Sequence, residues 1–240
     1  MATASPNLRI ERGMHREGAR YVIGVDEVGR GAIAGPVGVG MSVVGPRMPR
    51  IPEGLRDSKL LTERRREALE PLARSWSLHY AVGLATAEEV DRLGITACLG
   101  LAGSRALSSL VEAGVPLEEC SVILDGHFDW LTAHSPAPLT VVPRVKADRD
   151  CASVSAASVI AKVHRDRMMI DADARIPGYG WSGNKGYGSA AHYAAIDALG
   201  PSELHRQTWL RPPSLLDGLE GADDVVSLGA IRGQASVTPS

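Results

Sequence analysis

Over two stretches of this chain, apolar residues recur at every second position. Val37, Val39, Met41 and Val43 alternate with Gly38, Gly40 and Ser42, and Trp76, Leu78, Tyr80, Val82 and Leu84 alternate with Ser77, His79, Ala81 and Gly83. A period of two predicts strands. Tyr21 to Val25 is a compact β-type run ahead of both. So little helical sequence separates the first two runs that the three strands predict an antiparallel meander.

Helical signals follow. Thr62 caps a charged helix from Glu63 to about Glu70, which Pro71 should end or kink. Thr86 and Glu89 have capping-box spacing and open a short helix. Another helix is predicted from Thr96 to Ala113, closed by Gly114 and Pro116. Ser121 to Leu124 reads as a buried strand ending in Asp125-Gly126, and Leu139 to Val142 as a fifth strand stopped by Pro143. Small and apolar residues from Ala152 to Ala174 predict a long packed helix. Gly178 to Gly188 reads as a glycine-rich loop, and Ser189 caps a helix that stops at Gly200-Pro201.

Three strands, then helices, then two strands that each need a crossover, predict an α/β domain. Its mixed five-stranded sheet is flanked by helices, with a helical C-terminal part. The expected organisation is a polar, Arg-rich segment over residues 1–19 carrying a short helix, one domain over 20–213, and a disordered acidic tail over 214–240.

Composition narrows the class. At 240 residues with a single Phe, the chain can bury a large core but must pack it with aliphatic side chains. Cys98, Cys120 and Cys151 are scattered, with no Cys-x-x-Cys pair, which fits a reducing cytoplasm and not a disulfide framework or zinc ribbon. No apolar run reaches membrane-spanning length and no signal-peptide core is visible, so a cytoplasmic protein without membrane contact is expected. The formal charge of −2 is uneven: from Leu215 onward there are four acids and one base, and the remainder carries about +1. Between Arg144 and Arg167 six Lys or Arg face three Asp, and a polyanion would respond to that local field.

The densest chemistry lies in Gly24-Val-Asp-Glu-Val-Gly-Arg-Gly31. Carboxylates suit a hard divalent cation, and a glycine-flanked arginine lets backbone and guanidinium approach a phosphate. An isolated Asp-Glu pair would read as a solvated strand end. The apolar run before Asp26 and Glu27 and the glycines after them reverse that reading. Gly29-x-Gly31-x-x-x-Gly35 is no dinucleotide cradle, because Gly35-Pro36 and a strand follow where a helix is required. Asp125 ends a buried strand, at the edge where α/β sheets bind ligands, and equally fits a turn. Asp148 could join that edge, cap the next helix or pair with Arg149. Ser155, Ser158 and Lys162 lack the Ser-x-x-Lys spacing of a nucleophile pair and read as helix packing. With no His-x-x-x-His pair, His127, His164, His192 and His205 read as surface or capping residues. In Asn184-Lys-Gly-Tyr-Gly188, Lys185 suits phosphate and Tyr187 suits stacking on a base or sugar, beside the plainer reading of a polar loop.

Together these blocks closely resemble the ribonuclease HII family. The matching stretches are Gly24 to Val37, Asp57-Ser-Lys59, Leu124-Asp-Gly126, Lys146-Ala-Asp148, Ser155 to Lys162 with Arg165-Asp166, and Asn184 to Gly188, in the family's order over about residues 20–210. The resemblance implies an RNase H-like fold and two-metal endonucleolytic cleavage of RNA in RNA–DNA hybrids, with Mn²⁺ or Mg²⁺ as cofactor. It also implies incision 5′ of single ribonucleotides embedded in duplex DNA, leaving 5′-phosphate and 3′-hydroxyl ends. Asp26, Glu27, Asp125 and Asp148 match the acidic metal ligands; Gly29, Arg30 and Gly31 match the turn that senses the ribose 2′-hydroxyl; Tyr187 matches the tyrosine at the RNA–DNA junction. Lys59 and Lys162 resemble phosphate-contacting lysines.

Two departures stand out. Ile33 replaces the usual Leu, and His205-Arg206-Gln207-Thr208-Trp209 replaces a commoner His-Arg-Arg-Ser-Phe, which leaves open whether Gln207 contacts substrate. Ribonuclease HIII shares the catalytic core but carries an extra N-terminal domain, for which the residues before Tyr21 leave no room. A non-catalytic hybrid-binding module would gain nothing from four acids facing phosphate. A monomer is expected, and no aromatic-ended motif in the tail supports a sliding-clamp contact.

Overall fold

In the computed structural model, which describes residues 5–210, strands form at each predicted β-run with shifted ends. After helix α1 (Arg9–Arg16), strands β1 (Tyr21–Val28) and β2 (Val37–Val44) pair antiparallel, and α2 (Glu63–Trp76) leads to β3 (His79–Ala85), antiparallel to β2. Helices α3 (Ala87–Leu93) and α4 (Ile95–Glu112) precede β4 (Cys120–Asp125), which lies parallel to β1; β5 (Thr140–Arg144) lies parallel to β4. Then come α5 (Ala147–Asp150), α6 (Ala152–Arg175), α7 (Trp181–Asn184) and α8 (Ala190–Leu199). The sheet order is β3-β2-β1-β4-β5, the expected mixed five-stranded sheet. The acidic tail expected over 214–240 lies outside the described residues. Among those residues no helix is long and apolar enough to cross a membrane.

Both faces of the sheet are covered. Ile23, Val25, Val122 and Leu124 pack with Leu99, Leu107 and Leu110 of α4, while Val22 and Ile123 pack with Val154, Val159 and Ile160 of α6. The small residues of the alternating runs therefore do not face water; every residue of β2 is buried. A Cβ on Gly24 would lie 2.3 Å from the Ser153 carbonyl carbon, and one on Gly40 would lie 2.6 Å from the Ala157 oxygen. Only glycine lets α6 lie this close to the sheet.

Three predicted boundaries shift. Pro71 lies inside α2, which continues to Trp76. A mid-helix proline costs about 3 kcal/mol, but the turn after it buries Ala73 and Trp76 against the α6 side. Burying one large apolar side chain is worth roughly 1.5–3 kcal/mol, enough to offset that penalty. Trp76, read as strand, thus ends the helix and donates its indole N–H to the Pro49 carbonyl at 3.2 Å. Pro143 lies within β5, which tolerates a missing N–H because it is an edge strand. The glycine-rich loop contains the single turn α7.

Helix α6 carries much of the chemistry discussed below, and its start is anchored from α1. The buried Glu11 carboxylate accepts from the Ser153 backbone N–H at 3.0 Å and the Ser153 hydroxyl at 2.8 Å, capping α6 from outside its own chain segment. Glu11→Ala should lower the unfolding free energy by about 1–3 kcal/mol, because both Ser153 donors lose a buried acceptor. Urea denaturation at neutral pH measures this, and an unchanged midpoint would refute the anchoring role.

Candidate active site

Parallel pairing brings the first two carboxylates together. Val25 pairs with Leu124, so the next step in register sets Asp26 beside Asp125, and strand alternation puts both on the α6 face. Glu27 is half-buried on the opposite side, 3.6 Å from the Arg30 guanidinium. Asp148 arrives on α5 through a strained entry: Lys146, the residue before that helix, has φ 60°, in the left-handed region. For a non-glycine residue this costs roughly 1–2 kcal/mol. The strain turns the Ala147 and Asp148 N–H groups onto Asp125 Oδ1, at 2.7 and 3.4 Å.

These acids form one electrostatic cluster. Asp26 is pushed well above the usual carboxylate range, chiefly by burial, with the charges of Glu27 and Asp125 adding to the shift and Ser158 and Lys59 opposing it. Burial also raises Glu27 and Asp125. Asp148 is pushed up to about 6 by burial and then by Asp125 and Asp57. Lys59 is the counter-charge, its Nζ 3.6 Å from Asp148 Oδ2. Burial pulls its pKa down, but Asp26, Asp148, Asp57 and Asp125 outweigh that and raise it. The expected phosphate-contacting Lys59 thus lies among the acids. Asp57 supports the turn that carries it, accepting from the Lys59 N–H at 2.8 Å.

The cluster fits divalent metal in its chemistry. Its donors are all oxygens, as Mg²⁺ or Mn²⁺ prefers. Asp26 Oδ1 is buried and has no hydrogen-bond partner, an acceptor that a cation would satisfy. Among the described residues no three acidic, His or Cys side chains already form a closed metal cage.

Beside the acids, Gly29 has φ 74° and opens the Gly29–Gly31 turn, with Arg30 exposed. Tyr187 is 37% exposed, and its ring lies 5.6 Å from Lys162 Nζ and 5.5 Å from Arg165 Cζ, both centroid distances suited to cation–π attraction. Lys162 itself is tied to Asp166 at 2.6 Å. Lys185, which suited a phosphate contact, is buried, bonded to the Ser182 carbonyl and 3.2 Å from Glu63, so its charge is already paired. Gln207 donates its backbone N–H to Asp91 at 2.7 Å and its amide to the Ser202 carbonyl at 3.1 Å, contacts within the protein.

Sequence reasoning missed the support of this loop. His192 and His205, read as surface or capping residues, are fully buried. Trp181 Nε1 donates to His192 Nε2 at 3.0 Å; His192 Nδ1 meets the Tyr187 carbonyl at 2.9 Å; His192 Nε2 and His205 Nε2 lie 3.1 Å apart. The Ser202 N–H donates to His205 Nδ1 at 2.9 Å. These contacts fit two neutral rings, with the proton on His192 Nδ1 and on His205 Nε2. Arg165 and Arg206, also fully buried, were quoted only as parts of motifs. The excess of polar residues in segments flanked by apolar ones was the sole signal for any of them.

Burial, and then the neighbouring His192 charge, holds His205 down at about 4 against an ordinary value near 6.5. Because the folded value lies below the unfolded one, this contribution to stability is complete above pH about 6.5 and is lost as pH falls toward 4. Between pH 7 and pH 5, the unfolding midpoint of the wild type should therefore fall further than that of His205→Gln. Equal falls would remove His205 as the titrating group.

Comparison with known proteins gives a consistent result. A model of the ribonuclease HII family matches residues 23–211. A ribonuclease HII from Streptomyces griseus is 49% identical over 208 residues, covering 85% of this chain and 84% of that protein. One from Thermus thermophilus is 46% identical over 187 residues, covering 78% and 84%. Among solved structures, the ribonuclease H2 of Pyrococcus horikoshii superposes with a TM-score of 0.63 at 28% identity, covering 79% of this chain and 93% of that one. A Bst ribonuclease HIII solved in complex with Mn²⁺ gives 0.58 at 25% identity, covering 78% and 65%.

Proposed function

The chain belongs to the ribonuclease HII family, and on that premise we propose that it cuts the RNA strand of RNA–DNA hybrids and incises 5′ of single ribonucleotides in duplex DNA, using Mn²⁺ or Mg²⁺. One observation carries this reading: Asp26, Asp125 and Asp148 gather around the Lys59 ammonium, with Glu27 beside them against Arg30, next to a glycine turn and an exposed tyrosine.

Asp26, Glu27, Asp125 and Asp148 are the residues to hold the metal. When bound, divalent ions supply Lewis-acid stabilisation of phosphoryl charge and a more acidic water. The protein's own groups select and orient the substrate. Gly29 and Gly31 offer backbone without a side chain, so an amide or carbonyl can meet the 2′-hydroxyl, the group that distinguishes RNA from DNA. Arg30, exposed on the turn, faces the phosphate strand. Tyr187 stacks on the neighbouring sugar. Water adds to phosphorus as the P–O3′ bond breaks, and the 3′-oxygen takes up a proton, leaving 5′-phosphate and 3′-hydroxyl ends. The three cysteines are unpaired and buried, in keeping with a reducing cytoplasm.

Asp26→Asn should keep the fold, since burial already favours the neutral form of this side chain. Cleavage should fall on the order of 10³-fold or more, as for loss of a principal electrostatic group. Near wild-type cleavage by a folded Asp26→Asn protein would exclude Asp26 as a ligand. Tyr187→Ala should reduce cleavage at a lone ribonucleotide about tenfold more than on a continuous hybrid, given roughly 1–3 kcal/mol per stacking contact. Equal losses in steady-state assays on the two substrates would count against junction stacking. Absence of any nicking by the wild type with either metal would instead favour a hybrid-binding module.

A further inference from the structure

Arg165 and Arg206 are fully buried, yet their closest acids are engaged elsewhere. Asp166 pairs with Arg66 and Lys162, and the Asp91 oxygens take donors from Gln207 and Thr208. Burying a guanidinium without a carboxylate is costly unless its donors are satisfied. Here they are satisfied by backbone carbonyls drawn from two segments. Arg206 donates to Gly29 at 2.7 Å, Arg30 at 2.9 Å and Gly35 at 3.2 Å. Arg165 donates to Pro36 at 2.8 Å, Ala34 at 2.9 Å and Lys185 at 2.8 Å.

Those segments are the turn at Gly29–Gly31 with its continuation, and the loop that presents Tyr187. They also bond to each other, through the Ile33 and Ala34 N–H groups to the Gly186 carbonyl at 2.9 and 3.0 Å. The Arg165 guanidinium that bridges Ala34 and Lys185 also sits by the Tyr187 ring. We propose that Arg165 and Arg206 are positioning residues, Arg206 holding the Gly29–Gly31 turn and Arg165 holding its continuation against the Tyr187 loop, and that together they set the selectivity for a lone ribonucleotide. This rests on the substrate reading above.

Arginine suits the task because its planar fork holds several carbonyls at fixed angles, which the single ammonium of lysine cannot do. Selectivity follows from counting hydroxyls. A duplex with one ribonucleotide offers a single 2′-hydroxyl, so turn and ring must meet it in one register. A continuous hybrid offers a 2′-hydroxyl at each step, and a slightly misplaced turn finds another. The carboxylates sit on β1, β4 and α5, held by sheet pairing and the Lys146 turn, so metal binding is separable from this gauge.

The test compares Arg206→Lys, Arg165→Lys and Gly186→Ala with the wild type. A Cβ at Gly186 would lie 2.3 Å from the Ala34 oxygen, so that variant opens the same seam with both arginines intact. Expected is a fall in kcat/KM at a lone ribonucleotide on the order of 10²-fold, as for misplacement by about 1 Å. The fall on a continuous hybrid should be at most about tenfold, and the Mn²⁺-induced rise in unfolding temperature should persist. Wild-type selectivity in the folded variants would overturn the proposal. So would equal losses on both substrates that track a lost Mn²⁺ response, the signature of general destabilisation. A wild type that cuts neither substrate would refute the nuclease reading itself, an outcome distinct from either.

Discussion

The site depends on gathering like charges at one sheet edge against their mutual repulsion and desolvation. Parallel pairing of β1 and β4 puts Asp26 beside Asp125 with no freedom to separate, because each strand is fixed by neighbours on both sides. The fold then supplies donors rather than distance. Ser158 lies beside Asp26, and Asp125 takes two N–H groups from the Lys146 turn; Lys59 faces most of the cluster. Burial outweighs these partners, and every acid in the cluster keeps a raised pKa. A divalent cation held by oxygen ligands would offset that cost.

Positive charge is arranged by the opposite principle. Lys59 and Arg30 are exposed and can exchange partners, whereas Arg165 and Arg206 are buried under the turn. The former group can respond to metal or phosphate. The latter keeps a fixed field and a fixed geometry close to where a nucleic-acid strand would pass. A nearly neutral chain can therefore meet a polyanion, because the separation of charge within the site matters more than its sum.

Local signals made much of this legible in the chain. The first two β-runs, the Thr86–Glu89 capping box and the Ser189 cap appear where their short-range physics places them. The errors arise where tertiary burial overrides a local rule. Pro71 breaks a helix in isolation, yet Ala73 and Trp76 need the next turn to reach the core. Pro143 would stop a central strand, but β5 lies at an edge, and strand order is a property of the whole sheet. His192 and His205 carry no periodic signal that distinguishes a buried neutral pair from two surface rings. Their partners, Trp181, Tyr187 and Ser202, are joined to them only by the fold. The same holds for Lys185, whose pairing with Glu63 of α2 joins residues far apart in the chain.

The glycine turn gives the sharpest case of a local motif made by distant residues. Gly29-Arg30-Gly31 is contiguous, but its carbonyls are held by Arg206, and the chain just beyond it pairs with the same late segment: Gly35 donates to Leu204 at 2.7 Å and Arg206 to the Ile33 carbonyl at 2.8 Å. Contacts of such long range close large loops, and their entropic cost must be met by the rest of the fold. The carboxylate cluster needs β1, β4 and α5, whereas the turn also needs the stretch through Arg206. Carboxylate clustering and the shape of the glycine turn are therefore separable in this fold: the first follows from the β1–β4 register and the Lys146 turn, the second from two guanidiniums bonded to backbone carbonyls.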